Sequence, residues 1–106
     1  MIQTLSQLAT ELNKIAPTRY SHFTTTQEPP FICYLDDGEN PLIGDDKVIE
    51  VGTEIRIELY TKTKDLTTEN KIRQFLTNNE LPYEKDPTIF IKSEGLFLCV
   101  FNIEII

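Results

Sequence analysis

The sequence predicts an α+β fold, a single domain in which a mostly antiparallel or mixed β-sheet carries two packed helices. Three observations carry that prediction. Leu5, Leu8, Leu12 and Ile15 recur at spacings of three and four near the N-terminus, which is the stripe of an amphipathic helix. Ile55, Ile57 and Leu59 alternate with Glu54, Arg56, Glu58 and Tyr60, the period of a strand with one buried face. Immediately after that strand, Ile72, Phe75 and Leu76 return to helical spacing, so Thr53–Leu81 reads as one strand turning into one helix. A length of 106 residues fits one domain. A hydrophobic share of 40% with 25% charged residues fits a globular one.

The first helix is expected over about residues 2–15, with Thr4 as its cap and Pro17 as its stop. Its leucine stripe must cover either its own sheet or a neighbouring subunit. Arg19 to Thr26 is rich in aromatic and β-branched residues and reads as a short strand. Pro29-Pro30 imposes an extended break. Phe31 to Leu35 is apolar without interruption, as in a strand buried on both faces. Asp36 to Asp46 reads as a long polar turn region, because Gly38, Asn40-Pro41 and Gly44 are turn formers. Val48 to Val51 reads as a separate short strand, with Gly52 as a turn or bulge before the alternating strand.

The second helix is expected over about residues 66–78. Asp65 or Thr67 can cap it, and Glu69 favours its positive end. Glu69 and Arg73 stand four apart, as a pair on the solvent side. Asn78-Asn79 stops the helix and Pro82 prevents its continuation. The chain then reads as a hairpin: Thr88 to Lys92, a turn at Ser93-Glu94-Gly95, and a long arm from Leu96 to Ile106.

Seventeen acidic against ten basic residues give a net charge of −7. That balance argues against a general nucleic-acid backbone binder, which depends on Lys and Arg, and suits a surface that docks on basic partners. No sequence-specific nucleic-acid contact is expected. Cys33 and Cys99 lie in apolar runs without a CxxC or Cys/His cluster, so no zinc site is expected. Buried reduced thiols are the plain reading; a disulfide between them stays open at this point. No basic-then-apolar leader and no membrane-length apolar run is present, so a soluble intracellular protein is expected.

Candidate chemistry is sparse. His22 is the only histidine, and no orienting partner for a nucleophilic triad or dyad can be placed beside it. The acidic stretch Asp36, Asp37, Glu39, Asp45 and Asp46 invites a hard cation, but EF-hand spacing is absent. A loop shaped for water or for a protein neighbour is the better reading. A metal-dependent nuclease would place an Asp near one strand and a Glu-x-Lys on the next, but Glu54-Ile55-Arg56 and Glu58-Leu59-Tyr60 both lack the lysine. Lys62 and Lys64 follow the strand as the one dense basic spot, able to touch a phosphate or an acidic neighbour, or simply to hydrate a turn. The four glycines form no phosphate loop. No catalytic residue, cofactor or metal is therefore expected. The residues expected at subunit or partner contacts are Asp36, Asp37, Glu39, Asp45, Asp46, Lys62 and Lys64.

Ile57-Glu58-Leu59-Tyr60-Thr61-Lys62, then Lys64-Asp65, Glu69 and the helix at Ile72–Leu76, resemble small proteins of tailed bacteriophages and Gram-positive prophages. So do Pro30-Phe31-Ile32-Cys33-Tyr34 and Glu94-Gly95-Leu96-Phe97. The likeness runs from about Pro17 to Ile106. The proteins in question are tail-completion, or tail terminator, proteins, with head–tail joining proteins of similar size beside them. What the resemblance implies is an α+β subunit of a homo-oligomeric ring, usually of six copies. Such a ring caps the head-proximal end of the tail tube in the virion, after assembly in the bacterial cytoplasm. Its partners would be itself, the tail-tube protein and the head connector. An acidic inhibitor or DNA mimic is the alternative that charge and size support.

Overall fold

The computed structural model describes residues 2–44 and 46–106. They form α1 (Leu5–Asn13), β1 (Thr18–Tyr20), β2 (Phe31–Gly44), β3 (Lys47–Thr61), α2 (Leu66–Asn78), β4 (Tyr83–Lys85), β5 (Ile89–Ile91) and β6 (Leu96–Ile105). The sheet runs β1-β2-β3-β6-β4, and β5 also pairs with β6. Only β1–β2 is parallel, so the sheet is mixed and the chain a single α+β domain.

Register explains where the core sits. Residues directly opposite one another share a face. Ile32↔Leu59, Ile55↔Ile103, Ile57↔Phe101 and Leu59↔Cys99 therefore put one apolar face across three strands. Leu8 and Leu12 of α1 and Ile72 and Leu76 of α2 join this cluster, so both helices lie on that face. The leucine stripe of α1 thus covers its own sheet. Cys33 and Cys99 are both buried free thiols on opposite faces, which closes the disulfide alternative. Burial pushes the Cys33 thiol up to about 11, with Glu58 beside it adding to the effect. Burial also raises Cys99, with Glu69 contributing.

Several expectations are corrected. Helix α1 is shorter than residues 2–15, because a capping box fixes its start. Thr4 Oγ1 accepts from Gln7 N at 3.1 Å and Gln7 Oε1 accepts from Thr4 N at 3.3 Å. The strand expected over Arg19–Thr26 ends at Tyr20, where Ser21 takes φ 64°. The polar stretch Asp36–Asp46 is largely strand: β2 continues to Gly44 and returns as β3. Gly52 lies inside β3 and not at a turn, opposite Asn40. Phe31, Tyr34 and Leu35 are only partly buried, because β2 stands next to the short edge strand β1.

At the far edge, β4 and β5 share one side of β6, since β3 occupies the other. Lys85 pairs with Phe101 and Ile89 with Leu98, so four steps along the edge match three along β6. Residues 86–88, which include Pro87, take up the extra residue as a non-strand link between the two.

Helix α2 begins where expected. Asp65 Oδ1 accepts from Thr68 N at 3.1 Å and its Oδ2 accepts from the Thr68 hydroxyl at 2.7 Å. Those bonds from Thr68 hold the Asp65 carboxyl below its ordinary value of 3.8. Asp65→Ala is expected to cost about 1 kcal/mol at neutral pH. A depressed folded-state pKa stabilises above the unfolded value and loses that contribution as pH falls through the folded one. The gap between wild type and variant in urea denaturation should therefore be full at pH 7 and close below about pH 3.8.

Candidate functional site

The most distinctive surface is the β2–β3 hairpin. Strand β6 pairs with β3 only from Thr53 onward, so the six residues Lys47–Gly52 and their β2 partners form a two-stranded ribbon beyond the sheet. At about 3.3 Å per residue that arm projects roughly 20 Å. It makes the molecule long, 50 × 27 × 26 Å. The sequence permits this because Pro41 and Gly38 sit on a strand edge with no outer neighbour among the described residues, where a missing donor and a φ of 131° are tolerated. Register shifts at Asp36/Gly38 and Leu42/Ile43 add twist.

The arm is braced at its root. Asn40 Nδ2 donates to Glu104 Oε2 at 3.1 Å, across the top of Gly52. A Cβ at position 52 would overlap the Glu104 carboxylate, so glycine is what lets Glu104 cross the ribbon. On the β1 side, the Tyr20 hydroxyl donates to Asp36 Oδ1, and that bond raises the phenol above its usual value.

Beside the root lies an open cavity of about 510 Å³ walled by Asp37, Glu54, Glu84 and Glu104, with Tyr83 and Asn102. Glu54 and Glu104 stand directly opposite on adjacent strands, a like-charge pairing that destabilises a sheet unless a cation is supplied. Among the described residues none of these four carboxylates is in an ion pair. Nor does any group of three or more His, Cys, Asp and Glu among them converge enough to hold a metal ion.

The expected interface residues separate into three groups. Asp36, Asp37 and Glu39 lie exposed at the root of the arm, and Asp46 lies exposed at its tip with φ 61°. Asp45 lies outside the described residues. Lys62 is exposed at the opposite end of β3. Lys64 is exposed as well, but it is engaged: its Nζ lies 2.7 Å from Glu69 Oε2 and donates to Thr88 Oγ1 at 3.4 Å.

Glu69 is the correction that matters most here. It is not on the solvent side. Its side chain is 2% exposed, held by Lys64 and, at 3.4 Å, by Arg73. A signal for this was present: Glu69, Ile72 and Leu76 follow at spacings of three and four, so Glu69 continues the buried stripe. Lys85 Nζ also reaches Thr88 Oγ1, at 3.1 Å, so two ammonium groups meet one hydroxyl. Sequence reasoning missed this convergence, because Lys85 lies on β4, a strand too short to be read between Pro82 and Pro87.

The nuclease geometry does not assemble. Glu58 Oε2 accepts from Arg56 Nε at 2.8 Å and its Oε1 accepts from the Tyr60 hydroxyl at 3.2 Å. Glu54 lies four residues away on the same strand, about 13 Å by strand rise. His22 shares a cavity of about 350 Å³ with Cys33, Tyr60 and Glu94, but its Nδ1 lies 3.2 Å from Ser21 Oγ. A thiol at about 11 is the opposite of an activated nucleophile.

No helix among the described residues is long and apolar enough to cross a membrane. Comparison with family models, with characterised proteins and with solved structures finds no match to this chain.

Proposed function

We propose that this chain is a structural assembly protein of a tailed-phage virion, capping the head-proximal end of the tail tube and joining tail to head as a homo-oligomeric ring. The observation that carries the reading is the projecting ribbon of β2 and β3, which extends beyond the sheet with the exposed carboxylates of Asp36, Asp37 and Glu39 at its root. An isolated two-stranded ribbon is marginal in water. A partner that covers it supplies what the rest of the fold does not. The resemblance of the β3–α2 segment to tail-completion proteins supplies the identity of the assembly. The partners in this reading are further copies of the chain, the tail-tube protein and the head connector, with no sequence-specific nucleic-acid contact.

Light scattering and negative-stain imaging of the protein, alone and with tail-tube protein, test it. Rings, or caps on tube ends that stop further polymerisation, are the expected result. A chain that stays monomeric at every concentration and leaves tubes unbound would overturn the reading. Tight one-to-one binding to a nucleic-acid enzyme, lost at high salt, would replace it with an acidic inhibitor.

A further inference from the structure

We infer that Lys64, Lys85 and Thr88 form a binding site for a small dianionic oxyanion, inorganic phosphate or sulfate, where the start of α2 meets the link between β4 and β5. The site lies apart from the projecting ribbon and does not rest on the assembly reading above. Thr88 Oγ1 accepts from Lys85 Nζ at 3.1 Å and from Lys64 Nζ at 3.4 Å. A hydroxyl has two acceptor positions and one proton. The two ammonium groups fill the acceptor positions, so the Thr88 O–H is left to donate. Beside it lies the sulfur of buried Cys99, a weak acceptor. Burial and Glu69 raise the Cys99 thiol, while Lys85, Lys64 and the Thr88 hydroxyl act the other way, which places all three around one sulfur. Three donors therefore stand side by side.

Charge in this corner does not balance. Lys64 and Arg73 share one carboxylate, Glu69, at 2.7 and 3.4 Å. Lys85 adds a third cation with no carboxylate partner among the described residues, since its Nζ donates to Thr88 and to the Asp86 carbonyl, at 3.2 Å. The other carboxylates nearby are engaged elsewhere. Asp65 caps Thr68, and Asp86 Oδ1 accepts from Asn102 Nδ2 at 3.0 Å. Glu84 alternates to the sheet face away from Lys85. The two distances at Thr88 keep the lysine nitrogens within about 6.5 Å of each other, where like charges repel. An oxyanion that accepts from both at about 2.8 Å spans that gap. Three cations against one carboxylate leave an excess of two, which a dianion matches and a carboxylate does not.

Lys64 belongs to the turn between β3 and α2, Lys85 to β4 and Thr88 to the link before β5. An ion held by all three ties these segments together. The net charge of −7 disfavours a nucleic-acid backbone as the source of the phosphate, so the free ion is the ligand. The other role for these lysines is bracing, in which they hold the link in place and need no ion. The two roles differ in how the protein answers to phosphate.

Calorimetric titration with inorganic phosphate at about pH 8, where phosphate is dianionic, tests the site, with sulfate, acetate and chloride as parallel arms at equal ionic strength. The wild type should take up one phosphate or sulfate per chain and bind acetate about tenfold less tightly. Lys85→Gln should weaken phosphate binding about tenfold or more, the loss of one charge-assisted hydrogen bond. Thr88→Val, which keeps the shape and removes the hydroxyl, should weaken it in the same direction. A control carrying Lys62→Gln and Lys92→Gln should bind as the wild type does, because both side chains are exposed and outside the site. Amide NMR shifts on phosphate addition should concentrate at residues 64 and 85–88. Urea midpoints should rise more in phosphate for the wild type than for Lys85→Gln, a difference from which the general salting effect of phosphate cancels.

Phosphate uptake that chloride matches, or that both variants leave unchanged, overturns the site. Amide shifts spread evenly over the exposed lysines overturn it as well. A Lys85→Gln protein that is less stable in chloride yet gains as much from phosphate as the wild type assigns the lysines to bracing and also overturns it. If Lys85→Gln fails to fold, Thr88→Val and the wild-type amide shifts decide. None of these outcomes bears on rings or tube capping, so the assembly reading stands or falls on its own experiment.

Discussion

Replacing Phe101 by alanine should cost about 4 kcal/mol, enough to unfold much of the population near 37 °C. Phe101 is fully buried in the central strand β6, opposite Ile57 on one side and Lys85 on the other. Its ring meets Tyr83 edge-on at 5.6 Å, and the Arg73 guanidinium lies 5.9 Å from its centroid. Truncation therefore removes apolar burial, an aromatic pair and a cation–π contact at once. It also leaves a cavity that a strand paired on both sides cannot collapse to fill. Urea denaturation should show the midpoint falling by about 2 M with an unchanged slope. Phe101→Leu, which keeps much of the volume, should cost less than half as much. Equal costs for the two variants would show that volume at this position is not what holds the sheet to the helices.

The second large effect is asymmetric. Lys64→Met should destabilise by about 3 kcal/mol, whereas Glu69→Gln should cost about 1 kcal/mol. Glu69 is 2% exposed, while Lys64 and Arg73 are 46% and 31% exposed. Removing Lys64 takes away the 2.7 Å partner and leaves a buried carboxylate with only Arg73 at 3.4 Å. Removing the carboxylate leaves two cations that already reach water and rehydrate. Because Lys64 is nearly half exposed, solvent screening holds its effect to the lower end of the range for broken buried pairs. The double variant Lys64→Met/Glu69→Leu should recover much of the loss, since an apolar pair removes the stranded charge. Chemical denaturation of the four proteins measures the cycle. A Glu69→Gln variant less stable than Lys64→Met would reverse the account.

The local signals that were legible are those whose cause is local. The start of α2 follows from Asp65, whose carboxylate caps Thr68 wherever the helix is placed. The buried face of β3 follows from strict alternation at Ile55, Ile57 and Leu59, because a strand's side chains change face at every residue. The span of α2, expected over about 66–78 and found at Leu66–Asn78, followed the same way. The arm was not legible. Asp36–Asp46 is written in turn residues, and their local preference loses to a long antiparallel partner in β3 that satisfies the backbone. Strand β4 was invisible for the opposite reason. Three residues between prolines carry no period, and only the free edge of β6 makes them a strand.

The sequence alone determined an α+β domain with two amphipathic helices and a sheet, a net acidic balance, and cysteines set in apolar strand runs. Periodicity and composition decide these, because burial acts on each residue's own side chain. Only the tertiary structure decided that the far ends of β2 and β3 project as a ribbon, that Cys33 and Cys99 are free thiols on opposite faces, that Glu69 is buried beside Lys64, and that the outer edge of β5 is unpaired among the described residues. Those features depend on which strand finds which partner across long sequence separations, a property of the assembled sheet that no local run of residues encodes.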